Sequence, residues 1–409
     1  MTQSATPQPP HLSPSEGDRL ARRNAVVLSA SMALAGANAA VVISTGSLVG
    51  KLLAPSPALA TLPVSTFVLG TALFTFPASF LMKRIGRRAG FMVGGLAGIM
   101  TGLLSAAAVW YASFWLYALA TTFAGAYQSF VVLYRYAAAD TASPAFRPKA
   151  ISWVMTGGVL AALVGPQLVI QTKDMFSPLM FLGTYLGQAI VAVIAIAVVG
   201  QFRDGPPVNT AVDGVGRPLS QVIAVPKFVV AVLCGLVAQS MMNMVMTATP
   251  IAMVGCGFSV TDSTLGIQWH VLAMYLPSFF CGSLIARFGK GRVVFAGLIL
   301  LMAAGGLNLA GTALWNFWGA LILLGLGWNF AFVGATAMVT DCHSPAERAK
   351  VQGFTDFTIF GATTVASFMA GYLYDSFGWS AVNWVLVPMT LIAMLAVIVT
   401  GQIKRPVSA

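Results

Sequence analysis

Asp140-Thr-Ala-Ser143-Pro144-Ala145-Phe-Arg147-Pro-Lys149 and Asp341-Cys-His-Ser344-Pro345-Ala346-Glu-Arg348-Ala-Lys350 both read D-x-x-S-P-A-x-R-x-K, and they lie 201 residues apart. Six identities at fixed spacing mark an internal repeat of about half the chain. A second pair has nearly the same offset. Lys83-Arg84-Ile85-Gly86-Arg87-Arg88 is answered by Arg287-Phe288-Gly289-Lys290-Gly291-Arg292, with Gly86 and Gly289 203 residues apart. The chain is therefore read as two similar halves joined in sequence.

Composition says where those halves reside. Of 409 residues, 58% are apolar and 8% are charged, whereas a soluble domain carries roughly a quarter charged residues. Such a chain cannot cover itself with polar groups in water, so it belongs in lipid. Apolar runs fall near 24–50, 61–82, 89–110, 113–136, 150–171 and 178–200, and again near 227–254, 267–287, 292–313, 315–339, 350–373 and 380–402. Each matches the ~20 residues that a spanning helix needs. An all-α polytopic membrane protein of twelve transmembrane helices is expected, numbered 1 to 12 in chain order.

The net charge of +11 is a topology signal and not a nucleic-acid signal. Of 22 Lys and Arg, only Lys51 and Lys173 fall in one set of loops; the other 20 lie in the opposite set. That asymmetry predicts an inner-membrane protein with both termini cytoplasmic. Arg19, Arg22 and Arg23 precede a run without a signal-peptide cleavage pattern, so that run reads as an uncleaved first helix. The expected organisation is a disordered cytoplasmic tail over 1–18, six-helix bundles over 19–200 and 227–403, a linker over 201–226 and a short tail over 404–409. Cys234, Cys256, Cys281 and Cys342 have neither paired nor metal-ligand spacing and read as packing residues.

The two basic glycine loops resemble the signature of the major facilitator superfamily, and the resemblance covers essentially the whole membrane domain. The family pattern between helices 2 and 3, G-x-x-x-D-R-x-G-R-R, is matched at Arg84, Gly86, Arg87 and Arg88. Ser79 stands where glycine is usual, and Lys83 where the acid is usual; the second copy has Ala286 at the acidic position. The resemblance implies two parallel six-helix repeats and cytoplasmic latches in which Arg87 meets Asp140, and Lys290 or Arg292 meets Asp341. Gly371-Tyr-Leu-Tyr374-Asp375-Ser-Phe-Gly378-Trp379 resembles the family's junction between helices 11 and 12.

Polar groups inside the apolar runs are candidates for function. Asp356 is the one acid well inside a run, and it reads either as a proton-coupling carboxylate or as a latch partner of Lys83 or Arg135. Arg135 itself either snorkels to the interface or contacts substrate. His270 reads as a pH-sensitive or substrate-binding imidazole, or as a structural one. By the resemblance, helices 1, 4, 7 and 10 line a central cavity, to which they offer Asn38, Tyr127-Gln128, Gln239 with Asn243, and Trp328-Asn329. An aromatic followed by an amide at matching places in both halves predicts flat apolar walls with neutral donors and acceptors. Helix-to-helix hydrogen bonding is the alternative for each amide taken alone.

Such a cavity suits a planar, largely uncharged heteroaromatic solute. No phosphate-cradling loop, zinc-ligand spacing or Ser–His–Asp set occurs, so no cofactor, metal or enzymatic activity is expected. The expectation is a secondary transporter working by alternating access on an ion gradient, with the proton as the favoured ion and no partner beyond solute and lipid, acting as a monomer. The stretches Ser240–Pro250 and Ile267–Met274 are similar to a proteobacterial branch of the superfamily associated with riboflavin uptake. Proton-coupled efflux of drugs or metabolites is the alternative, and a transporter-like receptor that moves nothing is a more distant one.

Overall fold

The structure is a computed structural model that describes residues 14–140, 142–143, 146–205 and 216–401. Among these, ten helices are long and apolar enough to cross a membrane, and a further pair, bent by 44°, makes an eleventh span. The last helix, Arg348–Val399, is broken at Gly378 (φ 78°, ψ −178°) and contains two spans. The count is therefore twelve. In hydrocarbon every backbone N–H and C=O must be satisfied within the chain, which is why the apolar runs become uninterrupted helices.

Helices 1 to 6 are Pro14–Leu53, Leu62–Ile85, Arg87–Trp110, Phe114–Val131 with its continuation Tyr134–Ala139, Arg147–Thr172 and Leu182–Val199. Helix 7 is Pro226–Gly255, helix 8 is Val260–Tyr275 with Ser278–Phe288, helix 9 is Lys290–Leu309 and helix 10 is Leu314–Thr340. Helices 11 and 12 are the two arms of Arg348–Val399. In the first half, helix 1 packs on helix 5, and helix 4 packs between helices 2 and 3; in the second half, helices 7, 9 and 10 pack together with the 11–12 arm. The halves meet through helix 2 on helix 11 and helix 5 on helix 8, with helix 1 touching helix 7.

The repeat seen in the sequence recurs in the backbone. Gly86 (φ 85°, ψ 161°) ends helix 2, and Gly289 (φ 88°, ψ 152°) ends helix 8. This region of backbone space is open almost only to glycine, so the two glycines set the same sharp reversal in each half. The acid missing from the first loop is supplied from elsewhere. Asp204, just past helix 6, accepts hydrogen bonds from the Arg87 and Arg88 amides at 3.0 and 3.3 Å. It thereby caps the start of helix 3.

Two boundaries differ from expectation. Of the tail expected over 1–18, residues 1–13 lie outside the described ones, but Pro14–Asp18 are already helical. Asp18 is held by the amide and hydroxyl of Ser143, at 2.7 and 2.9 Å, which ties that first turn to the repeated loop. Helix 8 starts at Val260 and not near 267, because Ser259 and Asp262 form a capping box. The expected tail over 404–409 and linker residues 206–215 lie outside the described residues.

The two central helices are buried unevenly. Helix 7 is buried continuously from Ser240 to Met253, and helix 1 nearly so from Ala37 to Gly50, whereas Val26 and Val229, towards the other ends, are exposed. At the end away from the termini, Ser65 donates to Ser367 across the halves at 3.2 Å, and Gln167 to Gln268 at 2.9 Å. At the end bearing the termini and the basic loops, the ion pairs Arg87–Asp140, Arg217–Glu347, Lys227–Asp341 and Lys290–Asp341 each stay within one half. The molecule is shut at the far end and open at the basic end.

Substituting Gly86→Ala forces a side chain into this glycine-only conformation at a cost of about 1–3 kcal/mol. A melting temperature several degrees below wild type in detergent is expected; an unchanged one contradicts the assigned geometry.

Candidate functional site in the central cavity

Charged loops hold each half together at the basic end. Arg87 pairs with Asp140, and Lys290 and Lys227 both pair with Asp341. The two latch contacts implied by the resemblance, Arg87 with Asp140 and Lys290 with Asp341, are present. The second repeated loop carries its own acid. Glu347 is buried, accepts from the Ser344 amide at 2.9 Å, and grips Arg217 through Nε (2.8 Å), Nη2 (3.0 Å) and the backbone amide (2.8 Å). The two halves thus fix the same serine in opposite ways. An acid at the start of helix 1 (Asp18) holds Ser143, whereas an acid inside the loop (Glu347) holds Ser344 and is met by a base before helix 7.

These charges set the acid response of the basic end. Arg217 and the Ser344 amide hold the Glu347 carboxyl well below its ordinary value. Burial pushes the Asp341 carboxyl up, but the lysine hydrogen bonds and charges outweigh it, and the net direction is down. At Asp140 burial prevails over Arg87 and Arg147, and the net direction is up.

Between helices 7 and 10, Trp328 donates its indole N–H to Gln239 at 2.6 Å. Its ring stacks on Phe332, one turn along, with centroids 5.1 Å apart and 12° between planes. This is a flat aromatic wall whose orientation is fixed by an amide. Asn243, one turn beyond Gln239, is buried and accepts weakly from Thr247 at 3.4 Å. Asn38 on helix 1 is buried with neither side-chain amide atom partnered among the described residues. Gln128 is half-buried on helix 4.

Asp356 is exposed, and Arg135 of the other half is the positive group whose field reaches it, without an ion pair between them. The Arg135 guanidinium lies over Tyr136, with the Nη2 donating to its hydroxyl at 3.1 Å.

Four sequence expectations change. Tyr127 lies over Gly98 of helix 3 and is buried, so it packs helices 3 and 4 and does not line the cavity. Asn329 faces helix 8, where its amide nitrogen donates to the Met274 carbonyl and to the Ser278 hydroxyl, each at 2.7 Å. Consecutive residues on a helix point about 100° apart, so Trp328 and Asn329 could not both face the centre. His270 is fully buried, with Nδ1 donating to the Leu321 carbonyl at 2.8 Å, as a brace between helices 8 and 10. Lys83 is exposed and forms no ion pair with Asp356; with the basic end open, helices 2 and 11 do not bring the two together.

Sequence reasoning missed Phe332, which is one turn from Trp328 and hence on its face. It also missed the break in helix 8, for which Pro277 was the available signal.

The chain matches the Major Facilitator Superfamily over residues 27–274 and 231–408. It is 49% identical to a riboflavin transporter, RfnT, of Brucella anthropi over 92% of this chain and 96% of that one. It is 30% identical to an uncharacterized MFS-type transporter, YdeG, of Bacillus subtilis over 91% and 90% of the respective chains. Among solved structures, the nucleoside transporter NupG superposes with a TM-score of 0.70 at 12% identity, covering 95% of this chain and 100% of that one. The fucose transporter FucP, in its outward conformation, gives 0.61 at 15% identity, covering 94% and 99%.

A group whose carboxyl is lowered by folding stabilises the fold above its unfolded value and loses that contribution as the pH falls through the folded one. Melting temperature should therefore drop on acidification below about pH 4, and Glu347→Gln, already less stable at pH 7, should show a smaller drop. An equal drop contradicts the role given to the Arg217–Glu347 pair. Two homologous halves, their glycine reversals, the latch pairs and the sequence match over nearly the whole length lead to one statement: the chain is a multi-pass membrane transporter belonging to the Major Facilitator Superfamily.

Proposed function

We propose that this transporter takes up riboflavin, or a closely similar planar heteroaromatic solute, across the bacterial inner membrane into the cytoplasm. The observation that carries the reading is the 49% identity to the Brucella anthropi riboflavin transporter along nearly the full length of both chains. The cavity supports it. An isoalloxazine ring is flat, apolar on its faces and rich in acceptors and donors at its edge. The Trp328–Phe332 wall offers a stacking face, and Gln128 and Asn38 offer neutral edge contacts.

The excess of Lys and Arg at the basic end supports placing that end, with both termini, in the cytoplasm. On that assignment the structure is the inward-facing state, and alternating access consists of opening the Ser65–Ser367 and Gln167–Gln268 seams while the basic end closes. Asp356 is then the carboxylate through which a proton gradient drives accumulation. Facing Arg135 without touching it, Asp356 can take up a proton or release one as the two halves approach. The protein acts as a monomer.

Expression should restore growth of a flavin auxotroph lacking its own importer at low external riboflavin; no rescue by a membrane-inserted protein overturns the riboflavin reading. Asp356→Asn should retain exchange of riboflavin at equal concentrations while losing gradient-driven accumulation. Full accumulation by that variant removes Asp356 from coupling.

A further inference from the structure

Helix 8 is interrupted at mid-depth. The two arms, Val260–Tyr275 and Ser278–Phe288, meet at 44°. Pro277 has no amide hydrogen, so the helical bond it would give to the Ala273 carbonyl is missing. The neighbouring Met274 carbonyl is met by Asn329, whose amide nitrogen also donates to Ser278 on the other arm. Asn329 is fully buried and uses both of its amide hydrogens. It is a brace that fixes the angle between the arms.

Tyr275 is the last residue of the first arm, beside the carbonyl that Asn329 holds. Its ring crosses to the other half and lies over Gly158 of helix 5, whose absent Cβ would sit 3.1 Å from it. Any larger residue at position 158 would press on the ring. Tyr275 is half-buried, so part of its ring is left uncovered by the two helices. The charge of Arg135, on the continuation of helix 4, reaches it.

Depth agrees. Tyr275 is 15 residues from the start of helix 8 and Trp328 is 14 from the start of helix 10, so each lies about 21–23 Å along its helix at the ~1.5 Å rise. The Asn329 brace ties the two helices together at that same level. On the far side of Tyr275 the Gln167–Gln268 contact shuts the seam; on the near side the cavity is open to Asp356.

We propose that Tyr275 is a substrate-contacting ring at the closed end of the cavity, and that Asn329 is its positioning residue. The inference deepens, and rests on, the reading that a planar flavin is carried. Tyr275 and Trp328 then offer two aromatic surfaces at one depth, one on helix 8 and one on helix 10. Tyr275 also ties substrate contact to the seam, since its ring must leave Gly158 when the far end opens. Interrupted helices in a bilayer persist where they line a cavity or are buried in protein, and this break does both.

The test is riboflavin binding to the purified full-length protein, followed by quenching of flavin fluorescence. Wild type should bind saturably, Tyr275→Phe should bind within about threefold of wild type, and Tyr275→Leu should raise the dissociation constant at least tenfold. Tyr275→Met, closer in volume, gives the same rise if the leucine variant does not fold. Asn329→Leu should also raise the constant, and the Tyr275→Leu/Asn329→Leu double variant should be no worse than Tyr275→Leu alone, since the brace acts through the ring. Additive losses overturn the positioning role. An unchanged constant in Tyr275→Met or Tyr275→Leu, with wild type binding, overturns this inference alone. Absence of riboflavin binding by folded wild type overturns the riboflavin reading, and this inference with it.

Discussion

Hydrocarbon offers no hydrogen-bond partner, and the rest of this structure follows from that constraint. Backbone groups are satisfied within helices, so reversals are confined to the two ends and to a few breaks inside the spans. Where a helix does break, a side chain must replace the lost bond; at Met274 that side chain is Asn329. Charges are pushed to the helix ends for the same reason. There they join pieces distant in sequence: Asp204 to helix 3, Asp18 to the first repeated loop, and Arg217 to the second. These contacts lie within halves, and so they stiffen each bundle without fastening one to the other at the basic end.

Rigid halves and a divided seam are what alternating access requires. The far end is closed by weak, neutral contacts, hydroxyl to hydroxyl and amide to amide. Such contacts are worth about 1 kcal/mol each, so the seam can separate without stranding a charge in lipid. The strong ion pairs are kept where they need not break. On the proposed function, the neutral Trp328–Phe332 face recognises the flat solute, and Asp356, in the field of Arg135, responds to a proton.

The architecture was legible because it is repeated. The D-x-x-S-P-A-x-R-x-K pair and the two glycine loops located equivalent reversals, and the backbone angles of Gly86 and Gly289 agree closely. The candidate site was legible in part. Trp328 and Gln239, each a lining candidate in the sequence, are hydrogen-bonded to each other. Treating adjacent residues as a pair failed for Tyr127-Gln128 and Trp328-Asn329, because neighbours on a helix cannot share a face. Tyr127 and Asn329 went to packing and bracing instead. The role of Asp204 was not legible either, since a carboxylate that caps a helix more than a hundred residues away leaves no local pattern.

A riboflavin transporter of this kind moves its solute without any other protein. Purified protein in liposomes preloaded with unlabelled riboflavin should take up labelled riboflavin by exchange. That exchange should saturate and should need no proton gradient, because exchange requires only that both ends open in turn. Uptake no faster than in protein-free liposomes, from protein that is folded and inserted, would contradict the account.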